Sequence, residues 1–355
     1  MQMVAGALRS VRSRIRSGAD FIPASRLSGS ELIHLGGGEM VPTPGVRELP
    51  LDPAYRSNGL GGESLALPPA RVRILEGVHV VVGENVVRLP DGTVVGESVS
   101  SQQLRSLPRR HRASLAAMRS GRAAPYGDPG AGAFEGLVEA LPRALLLQHP
   151  ALRSFAPITL LCAPGAPVVE RWLRDRLGGR QVRPEELAAG DVVQPQVTVV
   201  AGPVSRAGAG AIPRWYRRWI DAEAAAAGPA PGPRRLLLVH GGDDPASGRS
   251  DLVASAERWD LTTLDCATGH LIRDGARSED VWSPSQVVAA LRDATVLVGA
   301  SDDALGHAIV SRRAEIVHVG VQGTVSPRVL QLAESRGLPY RFVRRGEMDT
   351  ALEGA

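Results

Sequence analysis

The sequence predicts an α/β protein of two Rossmann-like domains facing each other across a cleft, preceded by an irregular arm and a β-meander. Three observations lead there. Short β-branched runs alternate with helical stretches through most of the chain. A Gly-Pro-Ala-Pro-Gly-Pro segment at 228–233 separates two such halves. The stretch from Trp282 to Val319 reads helix, strand, turn, helix, strand, and that order implies a parallel sheet with a right-handed crossover. The expected units are 1–70, a basic helix and irregular arm; 71–227, an N-terminal domain with the meander; 228–233, a linker; and 234–345, a C-terminal Rossmann-like domain.

Composition narrows the chemistry. At 355 residues and 43% hydrophobic content the chain can bury a sizeable core. All 41 basic residues are arginine. With no lysine there is no Schiff-base or pyridoxal-phosphate lysine and no P-loop lysine. Net charge is only +4, acids are interspersed with the arginines, and aromatics are 4%, so a nucleic-acid partner is not expected. Cys162 and Cys266 lie far apart and form neither a disulfide framework nor a metal site. No signal peptide or transmembrane run is visible, and a cytoplasmic location is the expectation.

Taken in order, residues 1–21 place Val4, Leu8, Val11 and Ile15 at helical spacing among arginines. This reads as a solvated leader helix, or as a basic amphipathic helix that would give peripheral membrane association at the inner face. Residues 22 to about 70 are rich in Gly, Pro and Ser and lack periodicity, which predicts an irregular arm. From Arg71 to Ser98, Val-rich runs punctuated by Gly-Glu-Asn and Pro-Asp-Gly predict a β-meander. Residues 101–128, rich in Arg and Ser, predict a helix and then a loop. Phe134 to Leu147 places Leu137, Leu141 and Leu145 on one helix face, with a kink expected at Pro142.

A strand at Ile158–Cys162, a helix at Val168–Leu177, a strand at Val197–Val200 and a helix at Arg214–Ala227 complete the first half. The second half starts with a strand at Leu236–Val239 that ends in His240-Gly241-Gly242-Asp243-Asp244. A helix near Ser250–Arg258 and a strand near Leu261–Asp265 follow. Ser283 then caps a helix, with Pro284 in its first turn and Gln286 in capping-box position. Thr295–Val298 and Ile316–Val319 are short β-branched strands. A helix at Arg328–Arg336 and a strand at Tyr340–Val343 close the chain.

Three anchors carry a family resemblance: Leu141-Pro142-Arg143, the Ser283-x-x-Gln286 helix start, and Ala294 through Gly299. With the meander ahead of them, their order and spacing over roughly residues 71–320 resemble the family 61 glycosyltransferases, which include capsular-polysaccharide enzymes. The resemblance implies a GT-B-like fold whose C-terminal domain takes the nucleotide sugar. It implies inverting transfer of the sugar to a glycan hydroxyl in capsular or exopolysaccharide biosynthesis, with no cofactor and no essential metal. The partners it implies are a nucleotide-sugar donor and a glycan acceptor. Where the family carries His-Trp-Leu before Leu-Pro-Arg, this chain has Glu135-Gly136-Leu137. Where the family carries a His-Gly-Ala-Gly-Leu-x-Asn turn, it has Ser301-Asp302-Asp303-Ala304-Leu305-Gly306-His307. The family's Ser-Arg after the first strand of the second domain is replaced by Gly241-Gly242. A member without catalysis, acting as a binding or scaffold subunit, and a polysaccharide pyruvyl transferase-like enzyme are the alternatives.

Inverting transfer needs a base for the acceptor hydroxyl, and donors or positive charge for the departing diphosphate. Glu135, in the histidine's place, is the candidate base, although a glutamate early in a helix also simply favours the dipole. Glu139 and Arg143, four apart, read as an intrahelical pair. The candidate donor and phosphate residues are Arg249, Gly299, Ser301, His307, Gly241 and Gly242. The amides of the Gly299 turn sit where an anion is favoured, but Asp302 and Asp303 would repel a phosphate unless they cap the helix. His240, at a strand's carboxyl end, is a candidate of the same kind as His307. Asp243, Asp244, Asp302 and Asp303 form a conceivable divalent-metal set across two loops, with plain turn residues as the simpler reading.

Overall fold

A computed structural model describes residues 21–22, 26–27, 30–51, 55, 60–82, 86–95, 117–127, 132–205, 209–232, 234–241, 249–273, 276–320 and 325–353. The protein is α/β, with a ten-stranded mixed sheet in the N-terminal half and a seven-stranded mixed sheet in the C-terminal half. The basic segment expected over residues 1–21 lies outside the described residues apart from Phe21. Among the described residues no helix is long and apolar enough to cross a membrane.

The first sheet is centred on Val192–Ala201. Along one edge this strand runs parallel to Ala117–Pro125. Ile158–Cys162 and then Val182–Glu186 continue the sheet in parallel. Along its other edge it pairs antiparallel with His79–Val81 through its first residues and with Arg71–Glu76 through its last. The register against Ala117–Pro125 shifts between Pro195 and Val197. A proline cannot donate to the ladder, and a bulge is where a sheet tolerates one. His79–Val81, Val86–Arg88 and Val94–Val95 form the expected meander, and their valines are buried. Arg71–Glu76 stands apart from it and pairs instead with Glu31–His34.

Several elements differ from the sequence reading. The arm is not irregular throughout, because Glu31–His34, Glu39–Pro42 and Ser64–Leu67 are strands. The expected helix and loop at 101–128 gives way, over its described part, to the nine-residue strand Ala117–Pro125. Its small residues hide any alternation of apolar and polar side chains. The stretch from Ala133 to Leu146 stays helical through Pro142, but not as a regular α-helix: Gly136–Ala140 is π-helical and leads directly into Leu141–Leu146. The wider π turns take up the ring of Pro142 and its missing N–H.

The second sheet has five parallel strands in the spatial order Thr262–Asp265, Arg235–Val239, Val296–Gly299, Glu315–Gly320, Tyr340–Arg344. In chain order these are strands 2-1-3-4-5, so the winding reverses between Arg235–Val239 and Val296–Gly299. An antiparallel hairpin, His270–Arg273 and Ala276–Val281, extends the sheet beyond Thr262–Asp265. The sequence reading had no hairpin here, since the outer strand ARSEDV is polar and almost wholly exposed.

Each strand divides its side chains between two covers. Leu237, Val239, Val298, Val317 and Val319 pack under Arg249–Ser255 and Met348–Glu353, through Leu252, Met348 and Leu352. That last helix lies beyond the expected limit at residue 345. Leu236, Leu238, Leu297 and Ile316 face the helices Pro284–Asp293, Asp302–Gly306 and Arg328–Arg336. Those three helices also pack on the first half. One hydrophobic cluster runs from Leu160, Phe134, Leu137 and Tyr216 to Val287, Leu305 and Leu332. Arg292 donates to the carbonyls of Ala224 and Gly228 at 2.9 and 2.8 Å, so a helix of one half satisfies the open carbonyl end of a helix of the other.

Candidate functional site

In parallel sheets the carboxyl ends of the strands carry the ligand-facing turns. Three such ends meet here. Ala117–Pro125 runs out into Tyr126-Gly127, Ile158–Cys162 into Ala163–Pro167, and Arg235–Val239 into His240. Together they line a cavity of about 200 Å³, completed by Gly132, Gly136, Glu170 and Arg174. The cavity thus draws on both halves.

Glu170 is its most unusual side chain. It lies in the first turn of Val168–Asp175, a helix held down by Val168, Val169, Trp172 and Leu173. That packing carries the glutamate inward until it is only 6% exposed. The Tyr126 hydroxyl donates to its Oε1 at 2.8 Å. Burial pushes the Glu170 carboxyl above its ordinary range, while the Tyr126 hydrogen bond and the Arg174 charge pull the other way. Arg174 donates to Glu186 at 2.5 Å, with its guanidinium 5.9 Å from the centre of the Tyr126 ring. A Cβ on Gly136 would overlap Glu170 Oε2, so a residue without a side chain lets the Ala133–Leu146 rod close over the carboxylate.

Behind the cavity wall, His307 is fully buried. Its Nε2 lies 3.4 Å from Nδ1 of His240, and its own Nδ1 has no hydrogen-bond partner. Burial, reinforced by the neighbouring His240, pushes the His307 imidazole well below the usual histidine range, so it is neutral. It therefore does not reach a ligand directly, and its link to the cavity runs through His240.

The turn after Val296–Gly299 is engaged in holding the structure together. Ser301 caps Asp302–Gly306, its Oγ accepting from the Ala304 amide at 3.2 Å. Asp303, expected to cap its own helix, instead accepts from the Phe134 amide at 3.0 Å and caps the rod of the other half. A Cβ on Gly132 would collide with that carboxylate. Asp302 accepts from Ser326 Oγ at 2.5 Å. Glu135 accepts from Arg328 Nη2 at 2.6 Å, and the Arg328 guanidinium lies 4.1 Å from the centre of the Phe134 ring. Burial raises the Glu135 carboxyl, with the Arg328 charge opposing. Glu135 and the Asp302–Asp303 turn thus come together as a link between the halves.

Gly299 packs against Leu305. Gly241 has φ +50° and donates its amide to Asp265 Oδ1 at 3.3 Å. Gly242, Asp243, Asp244 and the side chain of Arg249 lie outside the described residues. Among the described residues, no three His, Cys, Asp or Glu side chains gather as a metal site. The expected pair Glu139–Arg143 is present at 3.0 Å.

Tyr126, Glu170 and Arg174 were not singled out from the sequence. A signal for Glu170 exists: it follows the Ala163-Pro164-Gly165 turn at the end of an apolar strand, and it stands among Val168, Val169, Trp172 and Leu173 at helical spacing with Arg174. Tyr126 carries no comparable mark, because its strand is itself hard to see. Neither the models of known protein families nor the curated proteins give a match to this chain.

Proposed function

We propose that the chain is a glycosyltransferase of the family 61 type. In this reading residues 71–227 and 234–353 are two Rossmann-like domains facing each other in a GT-B-like arrangement, and the sugar moves with inversion from a nucleotide-sugar donor to a glycan hydroxyl in cell-surface polysaccharide assembly. The observation that supports it best is Glu170: a buried carboxylate at the wall of a cavity between the halves, with a raised proton affinity suited to a general base. Glu170 takes the proton of the acceptor hydroxyl, the freed oxygen attacks the anomeric carbon, and the nucleoside diphosphate departs with the bonding electrons. Glu135 is tied to Arg328 and is not assigned this step.

The winding of the second sheet supports the donor side of this reading. Its reversal point lies between Arg235–Val239 and Val296–Gly299, and His240 stands there. The cavity, about 200 Å³, is smaller than the roughly 300–1,000 Å³ of sites that enclose drug-sized ligands. It suits one sugar ring, with the nucleotide extending past Gly241. A thermal-shift panel of nucleotide sugars and nucleoside diphosphates tests the reading. At least one is expected to stabilise the protein, and Glu170→Gln is expected to keep that shift while losing turnover. No shift with any of them overturns it.

A second reading, a binding or scaffold subunit without catalysis, is favoured by the structural engagement of Ser301, Asp303 and Glu135. Donor stabilisation without transfer to any glycan acceptor, in wild type and variant alike, would select it.

A further inference from the structure

We infer that His307 is a positioning residue that fixes the tautomer of His240, so that His240 carries its proton on Nε2 and serves the cavity as a hydrogen-bond donor. The argument starts from the 3.4 Å contact between His307 Nε2 and His240 Nδ1. One of these nitrogens holds the proton between them. If His240 Nδ1 held it, neutral His307 would have to carry its own proton on Nδ1. That nitrogen is buried and has no hydrogen-bond partner. A buried N–H without an acceptor is among the rarest defects in folded proteins. With the proton on His307 Nε2, Nδ1 presents only a lone pair, and the N–H is satisfied by His240.

The consequence passes to the cavity. His240 Nδ1 is then an acceptor, and the neutral ring places its proton on Nε2, across the ring from His307. The two rings are held for this contact, with centroids 5.6 Å apart and planes inclined by 26°. His307 is itself fixed within His307–Val310, where every side chain is buried. A chain without lysine has few compact donors for an oxyanion. In the transferase reading, on which this role at the cavity rests, His240 donates to an oxygen of the departing diphosphate. The tautomer assignment rests on the geometry alone.

The test separates the two. Long-range ¹⁵N–¹H spectra of imidazole-labelled protein report the tautomer of each histidine without any substrate. Both His240 and His307 are expected as Nε2–H. His240 found as Nδ1–H overturns the inference, whatever the protein transfers. Two variants add the functional arm. His307→Leu is expected to release His240 to a mixture of tautomers. His307→Gln keeps an amide donor near the same place and is expected to hold Nε2–H. If His240 keeps its tautomer in His307→Leu, His307 does not position it. If nucleoside diphosphates bind, turnover should fall on the order of tenfold or more in His307→Leu and recover in His307→Gln, with KM for the donor little changed. Equal turnover in both variants, with the tautomer lost in one, removes His240 from the transfer step and leaves the assignment of its proton intact.

Discussion

Single residues in this protein derive their chemistry from burial. Glu170 is the clearest case. Its carboxyl is raised from the ordinary 4.5 by desolvation, with Tyr126 and Arg174 pulling against it. In the unfolded chain the same group ionises at its ordinary value. Below that value both states are protonated, and the burial of the neutral form contributes fully to stability. As pH climbs from 4.5 through the raised native value, the contribution is lost. Glu170→Gln has no such loss, and its amide oxygen still accepts from Tyr126. The expected outcome is a melting temperature that rises relative to wild type as pH climbs above the ordinary carboxyl value of 4.5. Thermal denaturation across that range checks it, and a difference that shrinks with pH contradicts the raised carboxyl. Cys162 shows the same physics: burial pushes its thiol up to about 12, so it behaves as a small apolar side chain.

Elements in this chain form where local signals and packing agree. Pro284–Asp293 has a complete capping box, with Ser283 Oγ accepting from the Gln286 amide and Gln286 Oε1 accepting from the Ser283 amide. Its buried face, Val287, Val288 and Leu291, joins the shared core. Ser283→Ala is expected to lower unfolding free energy by about 1 kcal/mol, read as a shift of the urea midpoint at constant slope. No measurable shift would mean the packing alone holds the helix. The Ala133–Leu146 rod shows the opposite balance. Its start has no side-chain cap of its own, and its N-terminal amide is satisfied from the other half.

At the scale of the whole molecule, the halves are joined by more than the 228–233 segment. They share one hydrophobic cluster, the Asp303 cap on Phe134, the Glu135–Arg328 pair and the Arg292 bonds to Ala224 and Gly228. The expectation is a single cooperative unfolding transition, coincident by circular dichroism and tryptophan fluorescence. Two separated transitions would show independent halves. Asp303→Ala is expected to lower that transition by about 1 kcal/mol, and Asp303→Asn by much less, because asparagine caps as well as aspartate. A loss of equal size in both would place the contribution in charge rather than in the cap.

Much of this architecture was legible in the residues themselves. Periodicity, proline and glycine punctuation and helix caps located Val168–Asp175, Arg214–Ala225, Pro284–Asp293 and Arg328–Arg336, together with the parallel strands between them. These signals are local, and the physics that sets them acts within a few residues. Strands whose side chains are small or polar, such as Ala117–Pro125 and Ala276–Val281, gave no such signal, because pairing with neighbouring strands rather than their own side-chain pattern holds them in place. The site was harder still. The sequence marked the Gly299 turn and Glu135 by position in a motif. Only the tertiary structure could show that Asp303 and Glu135 hold the two halves together, and that Tyr126, Glu170, Arg174 and His240 meet in a cavity. Burial and proximity across more than a hundred residues decide proton affinity and hydrogen-bond partners, and neither is written in any one stretch of chain.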